Sequence, residues 1–154
     1  MEIRPAAENE AQLLSALALR AKAHWGYPRE ALEGWRSQLA ISAEQIRGKP
    51  TFVAVVRGEV AGFCSLLRSR AACELDNLWV APEFMHRGIG RALLHHALET
   101  AARAGAAELT VDADPNAEAF YLECGAIRRG QVPAPIPGHP GRVRPQLAFK
   151  SART

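Results

Sequence analysis

Leu78-Trp79-Val80-Ala81-Pro82-Glu83-Phe84-Met85-His86-Arg87-Gly88-Ile89-Gly90-Arg91-Ala92-Leu93-Leu94 is the stretch on which the fold turns. An apolar run stops at Pro82, a short loop follows, and two glycines open a segment with helical apolar spacing. Ile89, Leu93, Ala97 and Ala101 form one row and Gly105 ends it, so a helix over Ile89 to Ala104 is expected. Glycines at such a junction let backbone approach a ligand, and the first helical turn offers unpaired N–H groups to an anion. Arg87 and Arg91 add charge on either side, so the segment reads as a pyrophosphate cradle.

Upstream, the period is two rather than 3.6. Thr51 to Val56, Val60 to Leu67 and Cys73 to Val80 are expected strands, the first two joined by the turn Arg57-Gly58-Glu59. Regular alternation in the third puts Glu74, Asp76, Leu78 and Val80 on one face and Cys73, Leu75, Asn77 and Trp79 on the other. Further back, Met1 to Arg4 can start a strand. Leu13, Leu14, Leu17 and Ala21 predict a first helix from about Asn9 towards His24. Gly26-Tyr27-Pro28 breaks it, and Leu32, Trp35 and Leu39 mark a second. Ser42 and Gln45 form a capping box for one extra turn. Downstream come a strand over Glu108 to Ala113, a short helix over Ala117 to Glu123 closed by Gly125, and strands over Ile127 to Val132 and Val143 to Phe149. Hairpin strands followed by one strand–helix–strand crossover specify an α/β protein of the α+β type. Its mixed, mostly antiparallel sheet has about six to seven strands, with helices on both faces and only the crossover pair parallel.

Composition bounds the function. The chain has 154 residues, 48% hydrophobic and 23% charged, enough to bury a core as one domain over residues 1–154. No window approaches the ~18 consecutive apolar residues of a membrane span. The start, Met1-Glu2-Ile3-Arg4, lacks the basic and apolar regions of a signal peptide, so a cytoplasmic protein is expected. Cys64, Cys73 and Cys124 are odd in number, without a Cys-x-x-Cys pair, and read as reduced core thiols. Net charge is +3, carried by 16 arginines against 3 lysines, with no basic run of nucleic-acid type. No nucleic-acid or membrane partner is expected.

Other phosphate binders fit the cradle less well. A dinucleotide motif needs a third glycine where Leu93 stands, and a Walker loop needs Gly-Lys-Ser/Thr, which is lacking. Taken alone, two glycines can also be an ordinary helix start.

The order strand, Val80-x-Pro82, arginine and glycines, helix with Leu93-Leu94, strand, then Asn116…Phe120-Tyr121-x-x-x-Gly125 resembles the GNAT superfamily of acyl-CoA-dependent N-acyltransferases. The resemblance is most specific over residues 73–126. Two departures are Met85, where glutamine or arginine is usual, and Ala126, where an aromatic is common. It implies acetyl-CoA as cosubstrate, no metal, a small-molecule or peptide amine as acceptor, and the capacity to form a homodimer. It further implies a cofactor site at Leu78, Trp79, Val80, His86, Arg87, Gly88, Ile89, Gly90, Arg91 and Asn116. The pantetheine arm would lie where the Glu74–Val80 strand splays from the Glu108–Ala113 strand. A bulge near Leu78 to Val80 would aim backbone N–H at the thioester carbonyl.

Tyr121 matches the family's tyrosine that protonates the leaving thiolate; the alternative is a core aromatic. Asn116 either caps the short helix or bonds the pantetheine amide. An alkyl amine is only ~0.1% neutral at pH 7, so a base is needed, and Glu74 and Asp76 are the candidates. His24, Trp25 and Tyr27 gather imidazole, indole and phenol at a helix end and could grip an amine. The loop Pro133 to Pro140 can be a lid, with Arg142 and Arg144 facing an acceptor carboxylate or the cofactor's phosphates. Adjacent His95 and His96 point apart and bind no metal. The leading function is therefore an N-acetyltransferase. The alternatives are a non-catalytic acyl-CoA-binding or regulatory domain of the same fold, and an interaction module whose glycine loop binds nothing.

Overall fold

The computed structural model describes residues 1–70 and 72–150. The switch from helical to alternating periodicity at Thr51 marks where the chain passes from helices into the body of the sheet. Before it lie strand β1 (Glu2–Pro5), a 3-10 turn at Glu8–Glu10, and helices α1 (Ala11–Ala23), α2 (Arg29–Leu39) and α3 (Ala43–Gly48). After it come β2 (Thr51–Val56), β3 (Glu59–Ser69), β4 (Ala72–Val80), α4 (Ile89–Arg103), β5 (Glu108–Asp112), α5 (Glu118–Glu123), β6 (Ile127–Pro133) and β7 (Val143–Lys150). The seven strands form one sheet ordered β1-β2-β3-β4-β5-β7-β6. Only the crossover pair β4–β5 is parallel.

Local chemistry accounts for the boundaries. Arg57 and Gly58 both take positive φ, 52° and 80°, the twist a two-residue hairpin between β2 and β3 requires. Ser42 Oγ accepts from Gln45 N–H at 3.0 Å and Gln45 Oε1 accepts from Ser42 N–H at 2.9 Å, the expected reciprocal cap of α3. In α4 the row Ile89, Leu93, Leu94, Ala97 and Ala101 is buried. In α1 the buried residues are Leu14, Leu17, Ala18 and Ala21, whereas Leu13 is 49% exposed. Leu13 thus lies outside the stripe assigned to it, because the core-facing face of α1 runs i, i+3, i+4, i+7 from Leu14. Cys64 and Cys73 are core thiols as expected, while Cys124 is only half-buried.

The sheet departs from simple alternation at one point that matters. Ser65 pairs Asn77 and Leu66 pairs Leu75, so Asp76 is one extra residue on β4. The bulge therefore falls at Asp76, upstream of the expected Leu78–Val80. It also reverses the facing of the strand beyond it. Trp79 packs on Trp25 of the α1 end, with ring centroids 5.9 Å apart, and Trp79 Nε1 donates to Asn77 Oδ1 at 3.0 Å. Val80 instead faces Gly90 at the start of α4. The division expected from an unbroken period of two is thus corrected: Asn77 and Trp79 join Glu74 and Asp76, while Leu78 and Val80 turn to the α4 side.

Gly62 on β3 is required by close approach. A Cβ there would stand 2.7 Å from the Trp79 carbonyl oxygen and 3.1 Å from Leu93 Cδ1. Gly62→Ala is expected to destabilise the fold by about 1–3 kcal/mol, measured as a lowered midpoint in urea, because the backbone of β4 must shift to admit it.

Candidate active site

β4 and β5 are ladder-paired only at Cys73–Leu109 and Glu74–Thr110. Beyond that they diverge, and a cleft opens through the sheet between them. Ala81 N–H donates to the Ala61 carbonyl at 2.8 Å. Since successive backbone groups of a strand point to opposite sides, those of Leu78 and Val80 point away from β3, into the gap left by β5. Leu78 and Val80 thus present backbone N–H towards the cleft, as expected, although the bulge is elsewhere.

The cleft is a chain of adjoining cavities. A narrow apolar one of about 150 Å³ runs past Leu78, Val80, Gly90, Phe120 and Tyr121. A second, of about 120 Å³, shares Trp25, Leu78, Trp79, Ala117 and Tyr121 with it and reaches Asp76, Asp112 and Asp114. A third, of about 410 Å³, continues along Lys22, Trp35, Glu74, Asp76, Arg142 and Arg144. A wider depression of about 680 Å³ lies outside, under Trp25–Pro28 and the loop Ile136–Arg142. That loop, expected as a lid or a surface loop, therefore borders the cleft mouth.

At the apolar end stands the glycine loop. Gly88 caps α4 with φ 81° and His86 also takes positive φ, 63°. The first helical bond is Ala92 N–H to Gly88 O at 3.0 Å. The N–H groups of Ile89, Gly90 and Arg91 consequently have no helical acceptor. Arg87 stacks over Phe84 at 5.5 Å, and neither Arg87 nor Arg91 has a carboxylate partner among the described residues. A Cβ on Gly90 would touch Phe120 and Val80 at 3.5–3.6 Å, in the wall of the apolar channel.

Tyr121 sits where the first two cavities meet. It is buried, whereas its neighbour Phe120 is half-buried against Gly90. The Tyr121 hydroxyl has no hydrogen-bond partner among the described residues, and burial pushes its pKa above the ordinary phenol range. It is therefore un-ionised at physiological pH.

Glu74 and Asp76, the two base candidates, differ in their partners. Asp76 accepts from Lys49 Nζ at 2.6 Å. Glu74 has no ion-pair or hydrogen-bond partner among the described residues. Burial, then the charges of Asp76 and Asp112, raise its pKa against the pull of Lys49.

A polar partition separates the third cavity from the outer depression, and most of it escaped sequence reasoning. Asp114 binds Lys22 Nζ at 3.1 Å, the Tyr27 hydroxyl at 2.8 Å and Arg142 Nη2 at 3.3 Å. Asn116 Nδ2 donates to the Tyr27 oxygen at 2.9 Å. Asp114 caps the 3-10 turn Pro115–Ala117, accepting from Asn116 N–H at 2.8 Å, while the N-cap of α5 itself is Ala117, with no side-chain bond, so Asn116 does not cap that helix. Lys22 lies 4.0 Å from the centre of the Trp35 ring. Burial lowers the Lys22 pKa despite Asp114. Burial also opposes the Asp114 charge, but Asn116 N–H, Lys22 and Tyr27 outweigh it and hold that pKa below the usual range. Trp25 and Tyr27 therefore line the site, while His24 is exposed and borders none of these cavities. Lys22, Trp35 and Asp114 lie far apart in sequence; the Asp114-Pro115 pair signals a turn but not a partner. Arg144 pairs with Asp112 at 2.8 Å. His95 bonds Glu99, and His96 packs edge-on to Phe52 rather than standing in solvent. No group of three or more His, Cys, Asp or Glu among the described residues could hold a metal ion. No helix among them is long and apolar enough to cross a membrane.

Residues 14–126 match the family model described as the acetyltransferase (GNAT) family. The chain belongs to the GNAT acetyltransferase family. It is 29% identical over 130 residues, 81% of its length and 80% of the other's, to a protein of Escherichia coli K12 called the uncharacterized N-acetyltransferase YafP. Among solved structures it resembles a GCN5-related N-acetyltransferase of Rhodopseudomonas palustris, with TM-score 0.79, 23% identity and coverage of 97% and 94%. It also resembles the PaiA N-acetyltransferase of Thermoplasma acidophilum, with TM-score 0.78, 21% identity and coverage of 97% and 98%. At these identities the structural likeness establishes the GNAT fold, with the splayed β4–β5 pair as its central feature here.

Proposed function

We propose that this GNAT domain, spanning residues 1–154, is a cytoplasmic enzyme that moves an acetyl group from acetyl-CoA directly to a primary amine. The observation that carries this reading is the unpartnered Tyr121 hydroxyl, buried at the junction between an apolar channel and a polar cavity. Family membership supports the acyl donor, and the Thermoplasma PaiA structure is a complex with coenzyme A. The residues present suit that cosubstrate. Ile89, Gly90 and Arg91 offer N–H groups, with His86, Arg87 and Gly88 completing the pyrophosphate cradle. Leu78, Val80 and Phe120 line the apolar channel in which a pantetheine arm would lie. Asn116 can turn its amide to that arm, and Trp79 walls the far side.

In the transfer, Glu74 takes a proton from the acceptor ammonium, directly or through water, while Asp76 stays engaged with Lys49. Leu78 and Val80 N–H stabilise the carbonyl oxygen as the N–C bond forms and the C–S bond breaks. Tyr121 delivers its proton to the departing sulfur, and the second proton lost by the nitrogen restores the Tyr121 hydroxyl. Cys124, the residue that ends α5, packs half-buried against the core, borders none of the cleft cavities and takes no part. Calorimetry with coenzyme A, together with acetyl-CoA-dependent thiol release across amines, tests the proposal. Gly88→Ala is expected to weaken CoA binding about tenfold, because alanine at φ 81° costs about 1–2 kcal/mol and tips the cradle. An absence of CoA binding at millimolar concentration would leave the interaction-module alternative.

A further inference from the structure

The third cavity is lined by Lys22, Arg142 and Arg144 and by Glu74, Asp76 and Asp112, as many cations as carboxylates, but they are unevenly paired. Lys22 and Arg142, with side chains only 12% and 8% exposed, share a single carboxylate, Asp114. One positive charge is left over. Arg142 commits Nη1 to the Ala134 carbonyl at 3.0 Å and Nη2 to Tyr27 at 3.1 Å, but its buried Nε has no partner. A buried guanidinium donor without an acceptor is costly unless something else supplies one. On the other wall Glu74 is a carboxylate without a cation of its own. Lys22 and Arg142 make their ion pairs with Asp114 and not with Glu74. The two uncompensated groups thus do not neutralise each other, although both border the same space of about 410 Å³.

We infer that the acceptor is a free α-amino acid, its carboxylate received by Arg142 and Lys22 and its amine directed to Glu74. This identification rests on the acetyltransferase reading above. A zwitterion supplies one anion and one cation at separate points, which is what the cavity lacks. The volume suits a small ligand better than a folded protein surface. Asp76 and Asp112 nearby disfavour a dianion, so a carboxylate fits better than a phosphate.

The test compares free α-amino acids with their own carboxamides and decarboxylated amines in acetyl-CoA-dependent thiol release. O-phosphoethanolamine and short peptides complete the panel. The best amino acid is expected to exceed its carboxamide by about 10- to 100-fold in kcat/KM. Arg142→Gln is expected to reduce that ratio to a few-fold, and Arg142→Lys, which keeps the charge without Nε, to restore part of it. The acid–amide ratio is read on the native chain and needs no variant to fold. Equal or better use of the carboxamide, or preference for O-phosphoethanolamine or peptides, would overturn the inference while leaving the acetyltransferase intact. If no amine is turned over, the CoA-saturated protein is titrated calorimetrically with the same amino acids. Binding of the acid but not the amide supports the site, and binding of neither rejects it.

Discussion

Tyr121→Phe is expected to lower kcat about 10²- to 10³-fold while the affinity for coenzyme A changes less than about threefold. The large effect follows from where the hydroxyl stands. It stands where the apolar channel meets the polar cavity, it is far more acidic than the indole N–H groups of Trp25 and Trp79 beside it, and burial keeps it protonated. Removing the hydroxyl strands nothing, because it has no partner among the described residues. The variant should therefore melt at the same temperature as the native protein, or slightly higher. A structural tyrosine would behave in the opposite way, losing stability and keeping turnover. Unchanged thiol release with a lowered melting temperature would assign Tyr121 to packing with Phe149, whose ring lies 6.3 Å away.

Glu74→Gln is expected to reduce kcat/KM about 100-fold at pH 7 and to remove the acid limb of its pH profile. In the native enzyme that limb should lie above the ordinary carboxylate range, since burial, Asp76 and Asp112 together outweigh Lys49. The deficit should narrow towards pH 10, where the acceptor loses its own proton. Stability should move the other way. A carboxyl with a raised pKa binds its proton more tightly in the folded chain than in the unfolded one. It favours the fold below the unfolded value and works against it as pH rises through the raised value. Glu74→Gln should thus raise the melting temperature at pH 7 and leave it unchanged near pH 4. The same substitution at Asp76 breaks the Lys49 contact and should instead lower stability at pH 7. The contrast between the two variants separates the base from its structural neighbour, a choice that residue types alone left open.

The family motif and its strand–helix context were legible because they are local. A glycine at positive φ before an apolar helix, a capping box at Ser42 and Gln45, and a two-residue turn at Arg57-Gly58 each follow from neighbours within a few positions. The β4 faces were misread because a single extra residue changes the parity of a strand, and nothing in the identity of Asp76 announces it. Leu13 misled for a related reason: helical spacing admits two adjacent stripes, and only the sheet beneath selects one.

The chain's own order of residues determined the sheet with one parallel pair, the glycine-led start of α4 and the place of Tyr121, since periodicity and backbone permissiveness are short-range properties. Only the tertiary structure decided the charged end of the cleft. Lys22, Trp35, Asp114 and Arg142 come from four separate segments; the three charged ones are each an ordinary surface residue type, and Trp35 reads only as part of a helix's apolar face. Their burial around one carboxylate turns them into a charged wall, because desolvation and Coulomb interaction depend on distances in space and not along the chain.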